Sequence, residues 1–409
     1  MAQELFTGLD IGSNSIRVAV GQYMNNGHDR PVLQIIGAAE CPSAGINKGV
    51  ITSIEDAVSS LSTCLDQAER LVGQPLTSAW VSLAGSGVLL QLGKGVVAVS
   101  NPEGEIQDDD VERVLESAKM VSTPLNYETL HILPRNFLVD GQGGIKDPVG
   151  MSGMRLEVET QIVQCSSTLS KNLRKCVYRT SLEIEGLVLS SLAAAEATLS
   201  QKQQNLGVAL LDIGANSTNI LVFEEGNIIL SSTIPLGANH ITSDIAIVLR
   251  TSIDTAEEVK VKYGYAVPNE VRDEELDLSQ ISDEQMTVSR KFVAEIINAR
   301  LQEIFKRVDK ELKKINRSGL LPAGVVLVGG GAKLPGILEV AKDTLRLPAI
   351  LGYPQNVVSA IDKVNDVSFA TAVGLVMWGS RWGNGQTERS GKSKEVLGKM
   401  KKWFKNLLP

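Results

Sequence analysis

Short apolar runs rich in β-branched residues alternate along this chain with longer stretches of helical spacing, which predicts a mixed α/β protein. Leu5 to Gln22 reads as two strands bent around a polar turn, and Val32 to Glu40 as a third strand. Ile54 to Leu71 has helical spacing and stops at Gly73, and Ala79 to Leu83 is another strand. Residues 84 to 163 read as an insert: strand Val96 to Val99, acid-capped helix Asp108 to Met120, strand Leu130 to Pro134, a Gly-rich loop, strand Arg155 to Gln164. Helices follow at Ser167 to Leu182 and Val188 to Leu199.

The second half repeats the plan. Strands are expected at Val208 to Leu211, Ile220 to Phe223 and Ile228 to Ser232, and helices at Asn239 to Leu249 and Thr255 to Tyr263. Asp273 to Asp283 reads as an acidic loop. Val288 to Ile315 is one long amphipathic helix, its face formed by Phe292, Ile296, Leu301, Ile304, Phe305, Val308 and Leu312. Gly324 to Val328 is a strand opening onto Gly329-Gly330-Gly331, and Ala370 to Trp378 is a helix of small residues. Residues 383 to 392 form a Gly/Ser/polar linker before a separate terminal element.

Seven residues occur twice with one change: Leu9-Asp10-Ile11-Gly12-Ser13-Asn14-Ser15 and Leu211-Asp212-Ile213-Gly214-Ala215-Asn216-Ser217. Each copy is strand, tight turn, strand. A turn that exposes backbone N–H groups after a strand-end carboxylate can hold phosphate and a divalent cation. Two such turns facing each other would clamp a nucleotide. Asp10 and Asp212 are placed near Mg2+, with contact through water, since Mg2+ keeps most of its water shell. Gly12, Ser13, Asn14 and Ser15 in the first turn, and Gly214, Ala215, Asn216, Ser217 and Thr218 in the second, are the phosphate-binding candidates. Gly329, Gly330, Gly331 and Ala332 follow a buried strand and would let backbone approach a base or ribose.

Composition narrows the setting. The 409 residues suggest two or three domains, and 43% hydrophobic content supports large packed cores. A net charge of −7 argues against general nucleic-acid binding. Cys41, Cys64, Cys165 and Cys176 form no CxxC pair and read as buried, reduced thiols. Met1-Ala2-Gln3-Glu4 starts no basic-then-apolar leader, and no apolar run approaches the ~18 residues of a spanning helix. The expectation is a cytosolic protein whose membrane contact is peripheral.

The order of Asp-loop, insert, Asp-loop, insert, Gly-triplet and small-residue helix resembles the actin/Hsp70/sugar-kinase superfamily. That resemblance implies an actin-like two-lobed ATPase fold, with Leu187 to Leu199 and Phe369 to Met377 as crossing helices. Gly144 to Gly153, His131-Ile132-Leu133-Pro134, Gly45-Ile46-Asn47-Lys48-Gly49 and Thr242-Ser243-Asp244-Ile245-Ala246 are similar to signatures of the bacterial division family FtsA. The resemblance covers nearly the whole chain. It implies ATP and Mg2+ as ligands, with Glu257 and Lys260 reaching the ribose, although on their own these two read as a solvated helix face. It implies a division into 1–83 with 164–205, an inserted 84–163, 206–234 with 299–380, and 235–298, then a linker 381–393 and a membrane-targeting helix 394–409. The implied partners are the FtsZ C-terminal tail at 235–298, where Lys260, Lys262, Arg290 and Lys291 supply positive charge, later division proteins at 84–163, and further copies of the chain in filaments. The implied place is the cytoplasmic face of the cell membrane at the division site.

Two departures bear on turnover. Ala215 and Asn216 stand where relatives carry glycine, and Ser191 where efficient ATPases place Glu or Gln. A hydroxyl orients water poorly compared with those groups, so ATP binding with slow or negligible hydrolysis is expected, and no catalytic residue is assigned.

The C-terminal pattern is an independent signal. On a helical wheel Val396, Leu397, Met400, Trp403, Phe404, Leu407 and Leu408 fall within about 140° of arc. Lys399, Lys402 and Lys405 fall opposite them. Large apolar groups backed by lysines describe an interfacial helix attracted to anionic lipid. The same pattern would also suit a helix docked on the protein itself or on a partner. A small-molecule kinase, a pilus-assembly relative, an MreB-type filament protein and an Hsp70-type chaperone are the competing readings. The kinase would have no use for such a tail, the MreB type lacks the first insert, and no residues remain for a chaperone's second domain.

Overall fold

The computed structural model describes residues 4–24, 31–85, 87–119, 124–272, 274–280 and 287–382. The C-terminal linker and the lysine-backed segment at 394–409 lie outside them. The duplicated sequence folds as a duplicated sheet. Phe6–Ile11 pairs antiparallel with Ser15–Met24, which pairs antiparallel with Val32–Pro42. Val208–Ile213 pairs in the same way with Thr218–Glu224, and that strand with Asn227–Ile234. Asp10 faces Arg17 across the first hairpin and Asp212 faces Asn219 across the second, the same register in both. On the other side of each leading strand lies a parallel neighbour, Ser78–Leu83 in the first sheet and Val325–Val328 in the second. The two lobes of this actin-like α/β fold are therefore copies of one strand order. Their alternation is lost because both faces of each sheet are covered, which gives continuous apolar runs. Leu9, Ile16, Val18, Leu211 and Ile220 are wholly buried.

The first sheet has an extra edge. Val358–Ser359, from the far end of the chain, pairs parallel with Gln34 and Ile35. The inserted region forms its own sheet, in the order Val88–Ala98, Arg155–Ser166, Tyr127–Val139, Gln142–Ile145. The helix Asp108–Lys119 packs on it through Val111, Val114, Leu115 and Ala118. Gly95 is needed there because a Cβ would strike the Val114 carbonyl. Of the stretch expected as a Gly-rich loop after Pro134, the first strand runs on to Val139 and Gln142–Ile145 forms a second, while 146–150 is loop.

Several element bounds differ from expectation. Val188 and Leu189 belong to the strand Glu183–Leu189, and the first crossing helix is Ser190–Thr198. Both pieces are buried, so neither shows a one-sided period that would separate strand from helix. Val288 lies in the strand Thr287–Ser289, and the long helix is Arg290–Lys314. Its core contacts start with Val293 and Ile297, while Phe292 is 43% exposed. Part of the expected acidic loop, Glu275–Asp277, is the partner of Thr287–Ser289. All four cysteines are buried and free.

The second crossing helix, Ala370–Trp382, lies against Ser190–Thr198 at very close range. A Cβ on Gly374 would overlap the Ala193 carbonyl oxygen, and one on Gly8 would overlap that of Ala372. Small residues here set the distance between backbones. Gly374→Val is expected to cost about 3 kcal/mol or more by overpacking, read as a large fall in thermal midpoint or loss of soluble protein.

Candidate functional site

Ligands of open α/β sheets sit beyond the carboxyl ends of the strands. Four such ends converge between the lobes, each followed by glycine: Ile11-Gly12, Leu83 with Gly85, Ile213-Gly214 and Val328-Gly329. The two Asp loops close alike, with Gly12 N–H donating to Ser15 O at 3.1 Å and Gly214 N–H to Ser217 O at 2.9 Å. Neither glycine needs a left-handed φ. A Cβ on Gly12 would sit 2.6 Å from Ser15 O, and one on Gly214 3.1 Å from Ser217 O. The carbonyls of Gly214 and Ala215 accept from Ala238 and Asn239 at 2.9 and 2.8 Å. Because these peptides are trans, the N–H groups of Ala215 and Asn216 point away from that segment.

The two carboxylates are braced from neighbouring strands. Ser82 Oγ donates to Asp10 Oδ1 at 2.8 Å and accepts from Ile11 N–H at 3.0 Å. Asn219 Nδ2 donates to Asp212 Oδ2 at 3.3 Å, and Thr233 Oγ1 holds the Asn219 oxygen at 2.9 Å. Burial raises the pKa of Asp10, against the pull of Arg17. Burial, and then the charge of Asp10, push Asp212 up to about 6. Two carboxylates that repel one another in a poorly hydrated cleft are a natural seat for a divalent cation, which would relieve both costs.

The Gly-triplet contributes shape. Gly329 has φ +87°, and a Cβ there would strike Asp212 Oδ1. Gly331 is closed in by Ile213 and Ala238, and Ala332 is buried. Gly330 is different, since a Cβ there would meet nothing within 4 Å. Lys260 does not lie on a solvated face: it is 8% exposed, with Nζ 2.6 Å from Glu257 Oε2 and 2.8 Å from Thr242 Oγ1, whereas the Glu257 side chain is half-exposed. That contact gives a physical role to Thr242 of the Thr242–Ala246 motif.

Other expected phosphate contacts are placed differently. Thr218 is wholly buried and its hydroxyl donates to Leu236 O at 2.8 Å, so it braces the turn. Asn216 bridges the lobes, donating to Asn47 Oδ1 at 3.0 Å and accepting from Asn239 Nδ2 at 3.0 Å. Ser13 Oγ accepts from Gly49 N–H at 3.2 Å. The Gly45–Gly49 motif thus joins both loops. Ser82, Asn219 and Thr233 were missed by sequence reading, because they act across gaps of 72 residues for Ser82 to Asp10 and 14 for Thr233 to Asn219, with no local pattern. Ser191 is buried and lines a cavity of about 200 Å³ with Asn219, Gly85 and Thr233.

His131, in a second motif, is partly buried, and desolvation lowers its pKa to about 4. Its Nε2 accepts from Leu189 N–H at 3.1 Å, immediately before the first crossing helix. Neutral imidazole is required for that bond. Protonation would break it, so the stability it provides is lost as pH falls from about 6.5 towards 4.

These features define an actin-like protein with a nucleotide-type cleft between duplicated lobes. Solved structures agree on the fold. The chain resembles the PilM-PilN type IV pilus biogenesis complex at TM-score 0.64 and 17% identity, covering 91% of this chain and 98% of that one. It resembles MreB5 of Spiroplasma citri, a structure bound to ADP, at 0.53 and 14%, covering 92% and 96%. Family models match "Cell division protein FtsA" over residues 209–374 and "SHS2 domain inserted in FTSA" over 85–164. The FtsA of Bacillus subtilis is 40% identical, with 92% of this chain and 84% of that protein covered. That of Pseudomonas aeruginosa is 35% identical, with 97% and 93% covered. The chain belongs to the cell division protein FtsA family.

Proposed function

We propose that this protein is an ATP-binding, actin-like adaptor that tethers FtsZ filaments to the cytoplasmic membrane at the division septum. Membership of the FtsA family over nearly the full chain is the observation that carries this reading. ATP occupies the cleft with its phosphates on the loops at Gly12–Ser15 and Gly214–Ser217, Mg2+ lies near Asp10 and Asp212, and adenosine lies against Gly329–Ala332 with Glu257 and Lys260 towards the ribose. Gly330 supports this, being open where no packing among the described residues requires a glycine. Among the described residues no helix is long and apolar enough to cross a membrane. Attachment is assigned to the 394–409 segment, which inserts Trp403, Phe404 and their apolar neighbours at the headgroup boundary. The FtsZ tail docks on 235–298, where Ile247, Val248, Ile253 and Val261 are exposed, with Arg250 and Lys262 among them. The insert at 84–163 meets later division proteins, and head-to-tail stacking gives filaments.

Co-sedimentation with FtsZ and anionic liposomes tests the adaptor role. FtsZ should reach the lipid pellet only when this chain is present, and its absence from the pellet would refute the tether. Turnover is expected to be slow, because Ser191 offers a hydroxyl where a carboxylate or amide would orient water. Single-turnover assays with protein in excess check this, and a rate equal to that of an efficient actin-like ATPase would refute it.

A further inference from the structure

A cavity of about 460 Å³ lies away from the nucleotide cleft, where four parts of the fold meet. The insert supplies Leu133 and Phe137, the crossing helices Leu192 and Trp378, and the second lobe Phe223 and Ile228. Its wall also holds a chemical anomaly. Gln161, on the central strand of the insert opposite Leu133, is only 6% exposed. Its Oε1 is buried without a hydrogen-bond partner among the described residues, and so is Nε of Arg135, which also lines the cavity. Buried polar atoms are ordinarily paired. An orphan acceptor in a pocket of mixed lining, with Leu133, Phe137, Leu192 and Trp378 beside polar groups, calls for a donor carried on a large apolar body.

The chain carries such a group further along its sequence. Trp378 and Arg381 line the cavity, and Arg381 is paired to Glu196 across the two crossing helices. The described chain leaves that helix at Trp382. Trp403 follows in the 394–409 segment. Indole Nε1–H is a donor only, set in a large apolar ring. A Gly/Ser-rich stretch of about eleven residues, treated as a coil, would reach about 18 Å, and the helical turns expected before Trp403 would add about 13 Å. Cavities of roughly 150 Å³ already admit benzene, so the space takes an indole and an adjoining ring such as Phe404. Exposed Glu225 on the rim can meet one lysine of the segment, while Arg135 and Lys146, which line the same cavity, would turn the other lysines outward.

We propose that this cavity is a docking site for the chain's own 394–409 segment, taking Trp403 against Gln161 whenever the segment is off the bilayer. Tethering gives an effective concentration in the millimolar range, so modest intrinsic affinity suffices. Capture and lipid insertion use the same apolar face and exclude each other. The captured fraction then lowers the apparent affinity for lipid in proportion. The part of this proposal that concerns lipid rests on the membrane role proposed above, whereas the capture itself does not.

The test uses the full chain without lipid. Subtracting the emission of Trp403→Phe from that of the parent isolates Trp403. A buried, blue-shifted indole that does not change on dilution is expected. Gln161→Leu, which removes the orphan acceptor, and Asn227→Phe, which fills the rim, should both shift that emission towards water while the thermal midpoint holds. Both should also raise the affinity for anionic vesicles several-fold. A water-exposed Trp403 in the parent, or emission unmoved by both substitutions, overturns the proposal. A blue shift lost on dilution also overturns it, since a second copy would then be the captor. If no variant binds vesicles, the membrane role fails, but the emission still decides the capture.

Discussion

Asp212→Asn should make the empty protein more stable and yet weaken the proposed magnesium-dependent ATP binding by about 10–100-fold, a usual range for disrupting a metal's protein environment. The two effects have one cause. In the folded chain Asp212 titrates near 6, because burial and the charge of Asp10 both disfavour its anion. A carboxyl whose pKa is raised on folding stabilises the fold relative to neutral pH only while it is protonated. Its contribution is fully present below the unfolded value near 4 and is lost as pH rises through about 6. At pH 7 the native state therefore holds an unfavourable charge, which the amide removes. Asn219 Nδ2 can still donate to the new side-chain oxygen, so the bracing contact survives. Calorimetry of the apo protein should show a higher midpoint. Titration with Mg·ATP should show weaker binding, and in the parent protein affinity should also decline as pH falls below about 6. A lower apo midpoint, or binding unaffected by the substitution, would remove Asp212 from the cation site. His131 works in the opposite direction on acidification, so the pH profile of stability should be compared with that of His131→Gln.

Trp403→Glu should release the protein from anionic vesicles, with a loss of roughly 3 kcal/mol of apolar burial, or about 100-fold in affinity. The substitution removes the largest ring from the apolar arc and puts a negative charge against an anionic surface. The lysines alone contribute about 1 kcal/mol each near such a surface. That electrostatic part is screened by salt, whereas the apolar part is not. Vesicle sedimentation at low and high salt separates the two. Parent protein should lose affinity progressively with salt, and Trp403→Glu should remain unbound at every concentration. Unchanged co-sedimentation of the variant would show that attachment lies elsewhere in the chain. Filament formation should strengthen attachment, because many weak hooks on one polymer act together.

Local pattern was enough for the repeated strand–turn–strand units. Asp10, Gly12, Asp212 and Gly214 recur at one spacing, and the structure gives both hairpins one register. The helix ending at Gly73 was equally plain, since that residue takes φ +79° beyond Val72. Phe292 lies off the buried stripe, because a period of 3.6 fits either of two adjacent stripes and only the packed neighbours select Val293 and Ile297.

By itself the amino-acid sequence determined the duplicated α/β plan, the carboxylate loops and the glycine triplet, because each is a short-range regularity of side-chain type. Only the tertiary structure decided what those parts meet. It placed Ser82 on Asp10, Asn216 on Asn47 across 169 residues, and Ser359 on the Ile35 carbonyl across 324. It also enclosed Gln161 in a cavity built from four separate stretches of chain. Such contacts leave no period in the sequence, since their geometry comes from the packing of whole elements rather than from neighbours along the backbone.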